Sequence, residues 1–192
     1  MFRVSCIQLC SSDNVEYNLK KTKQLILKAV KQKANFILTP EVSSKISLDK
    51  KKLLKTATSM EKDIYLNGIK DLAKKYKIWI LIGSLILKIS KNKLVNRSIL
   101  ISSKGKIQCY YDKIHMYDAK LSTKEQYFES KLFKSGNKIK ITNLPWGKLG
   151  LSICYDLRFP GMYKKMSKRG AIFISIPSAF TETTGKKHWH TL

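Results

Sequence analysis

Near the amino terminus, apolar and polar positions follow a strand–helix–strand pattern. Residues 2–9 form an apolar segment that predicts a strand, and it ends just before a cluster of capping candidates: Ser12, Asp13 and Asn14. Apolar side chains then recur at helical spacing, at Leu19, Ile26, Ala29 and Val30. A second apolar strand, residues 35–39, stops at Pro40, and Glu41 follows it directly.

The same pattern returns near the other end of the chain. Residues 148–153 predict a strand, a turn follows at Cys154, a helix begins after Pro160, and a further strand spans residues 171–176. Each block favours two neighbouring parallel strands joined by a helix, with Glu41 and Cys154 just past the carboxyl end of a strand. Open α/β sheets carry their chemistry at that edge. The pattern predicts an α/β architecture, and by itself it predicts no activity.

Between the two blocks the periodicity predicts a helix and three strands. The helix is marked by Tyr65, Ile69, Leu72, Ala73 and Tyr76, and an apolar strand over residues 78–87 follows it. Strands at 97–102 and 107–111 flank a turn whose glycine suits a hairpin. Residues 112–136 have weak periodicity and many polar and aromatic side chains, which predicts a long functional loop with short helical pieces.

Length and composition favour one folded domain over residues 1–192. With 43% hydrophobic residues, the 192-residue chain can bury a substantial core. No apolar run reaches the roughly 18 to 20 residues of a membrane span, and no signal-like segment opens the chain. The four cysteines form no CxxC pair, so they favour reduced thiols over a zinc cluster or a disulfide scaffold. We expect a cytoplasmic protein without a membrane partner.

The chain is strongly basic, which introduces an alternative. Thirty-eight Lys and Arg residues against 13 Asp and Glu give a net charge of +25, and that balance alone suggests a nucleic acid or another anionic partner. The lysines are spread over predicted helix surfaces and loops, without a basic arm or a reading motif. We therefore favour a solvated basic surface and no nucleic-acid partner. Salt-dependent retention on DNA at near-physiological ionic strength would reverse that choice.

Cys154 is the candidate nucleophile. It ends an apolar strand and is followed by a polar turn, an arrangement typical of a nucleophile elbow. Such a turn exposes the thiol and directs the N–H of Tyr155 to where an oxyanion would form. Asp156 and Arg158, in the same turn, are expected to pair or hydrogen-bond to fix the elbow, and either could meet a substrate carboxylate. The alternative is that Cys154 is a small buried hydrophobic residue.

Two further candidates and a metal alternative depend on weaker signals. Glu41 could serve as a general base, and its alternative is a solvated loop residue or a helix cap. Lys113 could equally be one more surface lysine. The chain has three histidines, His115, His188 and His190, and the last two suggest a metal site. No third ligand has convincing spacing, so we favour no metal.

Three segments together carry a resemblance. Residues 39–41 (TPE), 111–115 (YDKIH) and 150–160 (GLSICYDLRFP) resemble, in order and separation, the motif blocks of the nitrilase superfamily. The similarity continues through 127–130, 177–181 and 184–190, as in its Nit-type amidase branch. It covers essentially the whole chain.

The resemblance implies a fold and a set of roles. The fold would be a four-layer αββα sandwich of the nitrilase type, which commonly forms a homodimer. Glu41, Lys113 and Cys154 would be the catalytic triad, and Glu129 the second glutamate that orients Lys113 or a water molecule. The Tyr155 N–H would bind the oxyanion. No metal and no cofactor are implied.

The resemblance also implies a substrate class. It points to amides of 2-oxo acids, with deaminated glutathione as first choice and 2-oxoglutaramate as second, and Arg158 could hold the substrate carboxylate. Similar proteins continue beyond residues 191–192, so we expect the domain to be incomplete at its C-terminal end. The alternative class is accordingly an inactive remnant or a binding module.

Overall fold

The computed structural model describes residues 1–123 and 126–192. Its strands are β1 (Val4–Cys6), β2 (Phe36–Leu38), β3 (Trp79–Ser90), β4 (Lys93–Ile101), β5 (Ile107–Asp112), β6 (Asp118–Lys120), β7 (Gln126–Phe128), β8 (Lys140–Leu144), β9 (Gly147–Leu151) and β10 (Phe173–Ser175). Its α-helices are α1 (Val15–Lys31), α2 (Lys50–Thr56), α3 (Ile64–Tyr76), α4 (Pro160–Lys168) and α5 (Glu182–His188). Short 3-10 turns span Met60–Lys62 and Cys154–Arg158.

The larger sheet has the strand order β1-β2-β3-β4-β5. Its first three strands run parallel, and β4 and β5 add antiparallel neighbours. Side chains alternate between its faces: Ile37 and Ile80 pack with the apolar faces of α1 and α3, whereas Phe36 and Leu81 face the opposite side. Both faces are covered, which explains why β2 and β3 are apolar almost throughout.

The smaller sheet has the order β10-β9-β8 and packs on the far face of the larger one. Leu149 and Leu151 share a core with side chains of β3, β4 and β5, and Met162 and Met166 of α4 complete that cluster. The layers therefore run helix, sheet, sheet, helix, which confirms the predicted αββα sandwich.

Both predicted strand–helix–strand blocks are confirmed. Strands β1 and β2 are parallel neighbours joined through α1, and β9 and β10 are parallel neighbours joined through α4. Asn14 is the cap of α1, since its side-chain oxygen accepts from the Tyr17 N–H at 2.9 Å. The first strand is shorter than predicted, because pairing with β2 extends only over Val4–Cys6.

The prediction for residues 112–136 is wrong in one respect. The described part of this segment contains no helix; it contains β5's last residue and the antiparallel pair β6 and β7. Lys124 and Glu125 lie outside the described residues.

The hydrophobic pattern did not predict α2, β8 or α5. Asp49 caps helix α2, since its side chain accepts from the Lys52 N–H at 3.0 Å. The helix buries only Leu53, so hydrophobic periodicity gives almost no signal there.

No helix in the described parts of the chain is both long and apolar enough to cross a membrane.

Candidate active site

Glu41 lies just past the carboxyl end of β2, in a turn that is locally strained. Val42 has a φ of 49°, a left-handed conformation that β-branched residues rarely adopt and that costs about 1 to 3 kcal/mol. Its N–H donates to Ser84 Oγ at 2.8 Å, which helps to hold the turn in place. The carboxylate of Glu41 is thereby kept inside the protein, only 6% exposed, so the solvated-loop alternative is wrong.

Gly83 on β3 allows two loops of the site to meet. A Cβ atom at this position would lie 2.1 Å from Thr39 O, 2.4 Å from Pro40 O and 2.6 Å from Pro177 Cβ. Only glycine permits that approach. The loop after β2 and the loop after β10 are therefore in contact, and the Ala179 N–H of the second loop donates to Glu41 Oε2 at 3.0 Å.

Cys154 occupies the predicted elbow. It follows β9, has a φ of 45°, and begins a 3-10 turn. Its N–H donates to Pro177 O at 2.9 Å, which fixes the strained residue against the second loop. The Tyr155 N–H comes next, at the start of the turn, where N–H groups have no partner within the helix.

Asp156 holds the elbow in place from the protein interior. This fully buried carboxylate accepts from the N–H of Ile153 at 2.9 Å, from the hydroxyl of Tyr111 at 2.7 Å and from the N–H of His115 at 3.0 Å. The His115 Nδ1 also lies 2.7 Å from it, and the imidazole stacks on Phe159. The expectation that Asp156 hydrogen-bonds to hold the elbow is confirmed.

Arg158 takes no part in that network, so the expectation of a pair with Asp156 is wrong. Its side chain is exposed, with the guanidinium 5.9 Å from the ring of Tyr155. Among the described residues, no carboxylate lies within ion-pair distance of it. The guanidinium is consequently available to a ligand.

A buried ion cluster lies beside the elbow. Lys113 Nζ contacts Glu41 Oε1 at 3.0 Å, Glu129 Oε2 at 3.0 Å and Glu129 Oε1 at 3.2 Å. Burial alone would lower the pKa of Lys113, but the two glutamates raise it by more, and the net pKa is above its usual value. Lys113 is therefore a buried cation and not a surface lysine.

Hydrogen bonds distinguish the two glutamates. The oxygens of Glu129 accept four: two from Lys113, one from Asn96 Nδ2 at 3.3 Å and one from the Tyr117 N–H at 2.7 Å. Glu41 Oε1 is similarly engaged by Lys113 and by Asn96 Nδ2 at 2.9 Å. Glu41 Oε2 accepts from a single N–H of the backbone, that of Ala179, which leaves capacity for a proton.

The thiol of Cys154 is protonated at rest. Burial and the negative charge of Glu41 raise its pKa, while the charge of Lys113 and the Ala179 N–H lower it by less. Both side chains line the same cavity. A preformed thiolate is thus disfavoured, and the sulfur becomes a nucleophile only as its proton moves to a base.

One cavity of about 780 Å³ joins these groups. All six residues predicted for the site line it: Glu41, Lys113, Glu129, Cys154, Tyr155 and Arg158. Aromatic side chains form much of the remaining wall, at positions 117, 127, 128, 133 and 180. The arrangement gives a small polar cluster beside the sulfur and a wide, largely apolar cavity around it.

Asn96 and the backbone N–H donors of Tyr117 and Ala179 were not predicted from the sequence. Asn96 is a polar residue within the apolar run of β4, and that break in the pattern was the available signal. The N–H groups of Tyr117 and Ala179 have no signal in residue type, because any residue could supply them.

The three histidines have different surroundings. His115 contacts Asp156, His188 lines the cavity and His190 is exposed. Across residues 1–123 and 126–192, no group of three or more His, Cys, Asp or Glu side chains is arranged to hold a metal ion.

Known proteins resemble this chain in sequence and fold. Residues 3–192 match the family described as carbon-nitrogen hydrolase. The chain is 38% identical to a deaminated glutathione amidase of Dictyostelium discoideum, over 99% of this chain and 68% of that protein. It is 31% identical to the omega-amidase NIT3 of Saccharomyces cerevisiae, over 99% of this chain and 67% of that protein.

The fold agrees with a solved structure. The crystal structure of the C. elegans NitFhit protein superposes with a TM-score of 0.89 and 34% identity, over 100% of this chain and 48% of that one. The chain thus spans about two thirds of the length of the amidase relatives and about half of the NitFhit chain.

Proposed function

Since the chain belongs to the carbon-nitrogen hydrolase family, we propose that it is an amidase that cleaves a linear amide through a cysteine thioester. The observation that carries this proposal is that one cavity is lined by the thiol of Cys154, by a glutamate that has a free acceptor site, and by the buried ammonium paired with that glutamate. These are the nucleophile, the base and the electrophilic donor that acyl transfer requires.

In the first half-reaction, Sγ of Cys154 attacks the amide carbon while Glu41 Oε2 takes the thiol proton. Lys113 Nζ contacts one oxygen of Glu41 and both oxygens of Glu129. When the two Glu129 oxygens share one N–H, the third N–H of the ammonium can donate to the oxyanion together with the Tyr155 N–H. Glu41 then returns the proton to the amide nitrogen and the C–N bond breaks, which leaves a thioester. The departing amine is ammonia from a primary amide such as 2-oxoglutaramate, and cysteinylglycine from deaminated glutathione.

In the second half-reaction, water enters in place of the departed amine. Glu41 accepts a proton from the water as its oxygen attacks the thioester carbon, and the same donors hold the second oxyanion. Collapse breaks the C–S bond, releases the carboxylic acid and returns the proton to Cys154. Glu129 stays ion-paired throughout and keeps Lys113 in place.

For the substrate we propose deaminated glutathione, with 2-oxoglutaramate as the second candidate because a relative is named an omega-amidase. Both are 2-oxo acids that carry an amide at the far end. Arg158 is an exposed cation without an ion pair among the described residues, and it lines the cavity, so it can bind a substrate carboxylate.

The test is hydrolysis of a panel of amides, followed as ammonia from the primary amides and as cysteinylglycine from deaminated glutathione. We expect turnover of the two oxo-acid amides and much slower turnover of uncharged aliphatic amides. Similar kcat/KM for both classes would refute the specificity, and no hydrolysis of any amide would favour an inactive remnant or a binding module. A Cys154→Ala variant separates enzymatic release from background hydrolysis.

A paired substitution tests the carboxylate contact. Arg158→Gln should raise KM for the oxo-acid amides by about tenfold or more, the worth of one charge-assisted hydrogen bond, and leave KM for an uncharged amide unchanged. The matched control is Arg169→Gln, since Arg169 is exposed and lies outside the cavity. Equal effects of the two variants would remove Arg158 from the site.

We further propose a cytoplasmic location and a homodimer. All four cysteines are free, which fits a reducing compartment. Ile172 is 67% exposed and Ile174, on the edge strand β10, is 39% exposed, so this edge suits a partner copy. Cell fractionation and light scattering, respectively, are the measurements that test the two proposals.

A further inference from the structure

Asn96 contacts every charged residue of the buried cluster. Its Nδ2 donates to Glu41 Oε1 at 2.9 Å and to Glu129 Oε1 at 3.3 Å, and its backbone oxygen accepts from the Lys113 N–H at 2.9 Å. The side chain is 2% exposed, on β4 at the wall of the cavity.

These contacts form a closed ring of donors and acceptors. Glu41 Oε1 and Glu129 Oε1 each accept from both Lys113 Nζ and Asn96 Nδ2, so two carboxylate oxygens alternate with two nitrogens. Lys113 supplies the charged nitrogen, and Asn96 supplies the neutral one. Two buried carboxylates next to a single ammonium repel each other, and a second bridging donor offsets part of that repulsion.

The ring also determines which oxygen of Glu41 can act. Because Oε1 is occupied by two donors, the carboxylate is held with Oε2 toward the second loop, where it accepts from the Ala179 N–H. Cys154 is bonded to the same loop, since its N–H donates to Pro177 O. If the amide of Asn96 were absent, Lys113 would be the sole bridge between the glutamates. Its ammonium would then be drawn between them, and its third N–H would be less available to an oxyanion.

We propose that Asn96 is a positioning residue for this site: its amide holds Glu41 and Glu129 at fixed places around Lys113, so that Glu41 Oε2 faces Cys154. The inference concerns the same site as the proposed amidase function and rests on it for its catalytic meaning. The orientation of Glu41 toward the thiol can be measured without any amide substrate.

The measurement uses the four cysteines of the chain. Iodoacetamide alkylates each thiol, and mass spectrometry of the peptides gives four separate rates. Cys154 reports on assistance by Glu41. Cys6 and Cys10 are exposed and do not line the cavity, so they serve as internal reference thiols. Cys109 is buried in β5, so its alkylation reports unfolding. Loss of fold and loss of positioning are thereby distinguished in one sample.

In Asn96→Leu, which keeps the volume and removes the amide, we expect alkylation of Cys154 to slow by about 10- to 100-fold, as for loss of a hydrogen bond to a charged group. The reference thiols should react as in the parent and Cys109 should stay protected. The acidic limb of the Cys154 pH–rate profile should move to higher pH, because a carboxylate that loses a donor is protonated more readily.

The matched control is Ser98→Ala on the same strand, since Ser98 is equally buried but donates to Ile82 O, away from the charged cluster. Unchanged Cys154 alkylation and an unmoved pH limb in a folded Asn96→Leu protein would overturn the proposal, as would an equal effect of Ser98→Ala. If Asn96→Leu exposes Cys109, then Asn96→Ser, which keeps a hydroxyl donor, takes its place and should show a smaller slowing; parent-like reactivity there would also overturn it.

With an amide substrate, the same variant should lower kcat and leave KM within about twofold, because Asn96 acts on the base and not on substrate binding. If the chain hydrolysed no amide while Asn96→Leu still slowed alkylation, the amidase proposal would fail and the positioning role would stand.

Discussion

Replacing the buried ammonium, in Lys113→Met, tests the charge balance of the site most directly. The lysine side chain is 3% exposed, and its partners Glu41 and Glu129 are 6% and 15% exposed. Methionine fills a similar volume but leaves both carboxylates inside the protein with only Asn96 between them. The destabilisation expected for an ion pair broken in this way is about 3 to 5 kcal/mol.

Two further consequences give the prediction a distinct signature. The loss should be largest at neutral and alkaline pH: in the folded variant two adjacent carboxylates bind a proton more readily than in the unfolded chain, so the free energy of unfolding rises as the pH falls. Adding Glu129→Gln should recover part of the loss, because it removes one of the two repelling charges. Ammonia release by Lys113→Met should fall by about 10² to 10³.

The assay is urea unfolding followed by fluorescence, at several pH values. Lys52→Met is the control, since Lys52 also pairs with a carboxylate, Asp13, but both partners are about half exposed, and little change in stability is expected there. A Lys113→Met protein as stable as Lys52→Met at neutral pH would refute the reasoning, as would a stability independent of pH.

Three other predictions follow from the geometry. Cys154→Ala should abolish ammonia release while the melting temperature stays near that of the parent, and retained turnover would rule out a covalent route. Gly83→Ala should lower stability by about 1 to 3 kcal/mol and slow turnover by about 10² or more, because its Cβ would meet two backbone oxygens at 2.1 and 2.4 Å; Gly161→Ala, with nothing within 4 Å of the new Cβ, should be harmless in the same two assays. Finally, stability should fall as the pH rises past about 9 to 10.5, since the folded-state pKa values of Cys154, Tyr65 (to about 12) and Lys113 lie above their ordinary values of 9.0, 10.0 and 10.5. These groups keep their protons longer when folded, so their contribution is complete below that window and is lost above it. Alkaline unfolding at constant ionic strength measures this, and a flat profile would contradict it.

Much of the fold follows from local pattern because two signals coincide. Strands β2 and β9 are apolar and end at abrupt polar turns, and each is followed or preceded by a helix with clear periodicity. The parallel neighbours β1/β2 and β9/β10 could therefore be predicted from residue order alone. Strands β6 and β7 gave no such signal, because they are three residues each and exist through their mutual pairing.

The family resemblance assigned different roles to the two glutamates, but their residue type alone does not explain the difference. Glu41 and Glu129 are the same residue type, and each contacts Lys113. What separates them is the number of acceptor sites that neighbours fill, and those neighbours include the N–H groups of Tyr117 and Ala179, which come from loops far apart in the chain. Side-chain types give no indication of such backbone donors.

Charge balance links the geometry to the choice of substrate. The buried cluster contains two carboxylates and one ammonium, and the thiol beside it is neutral, so its net charge is negative. A substrate carboxylate bound next to Cys154 would meet that charge in a poorly solvated place, which is unfavourable. Arg158, by contrast, is exposed and lines the same cavity. An acid with its amide at one end and its carboxylate at the other satisfies both conditions, because the neutral amide enters the buried cluster while the anion stays with the exposed guanidinium. A short amide whose carboxylate adjoins the scissile bond cannot do so, and the cavity should discriminate against it.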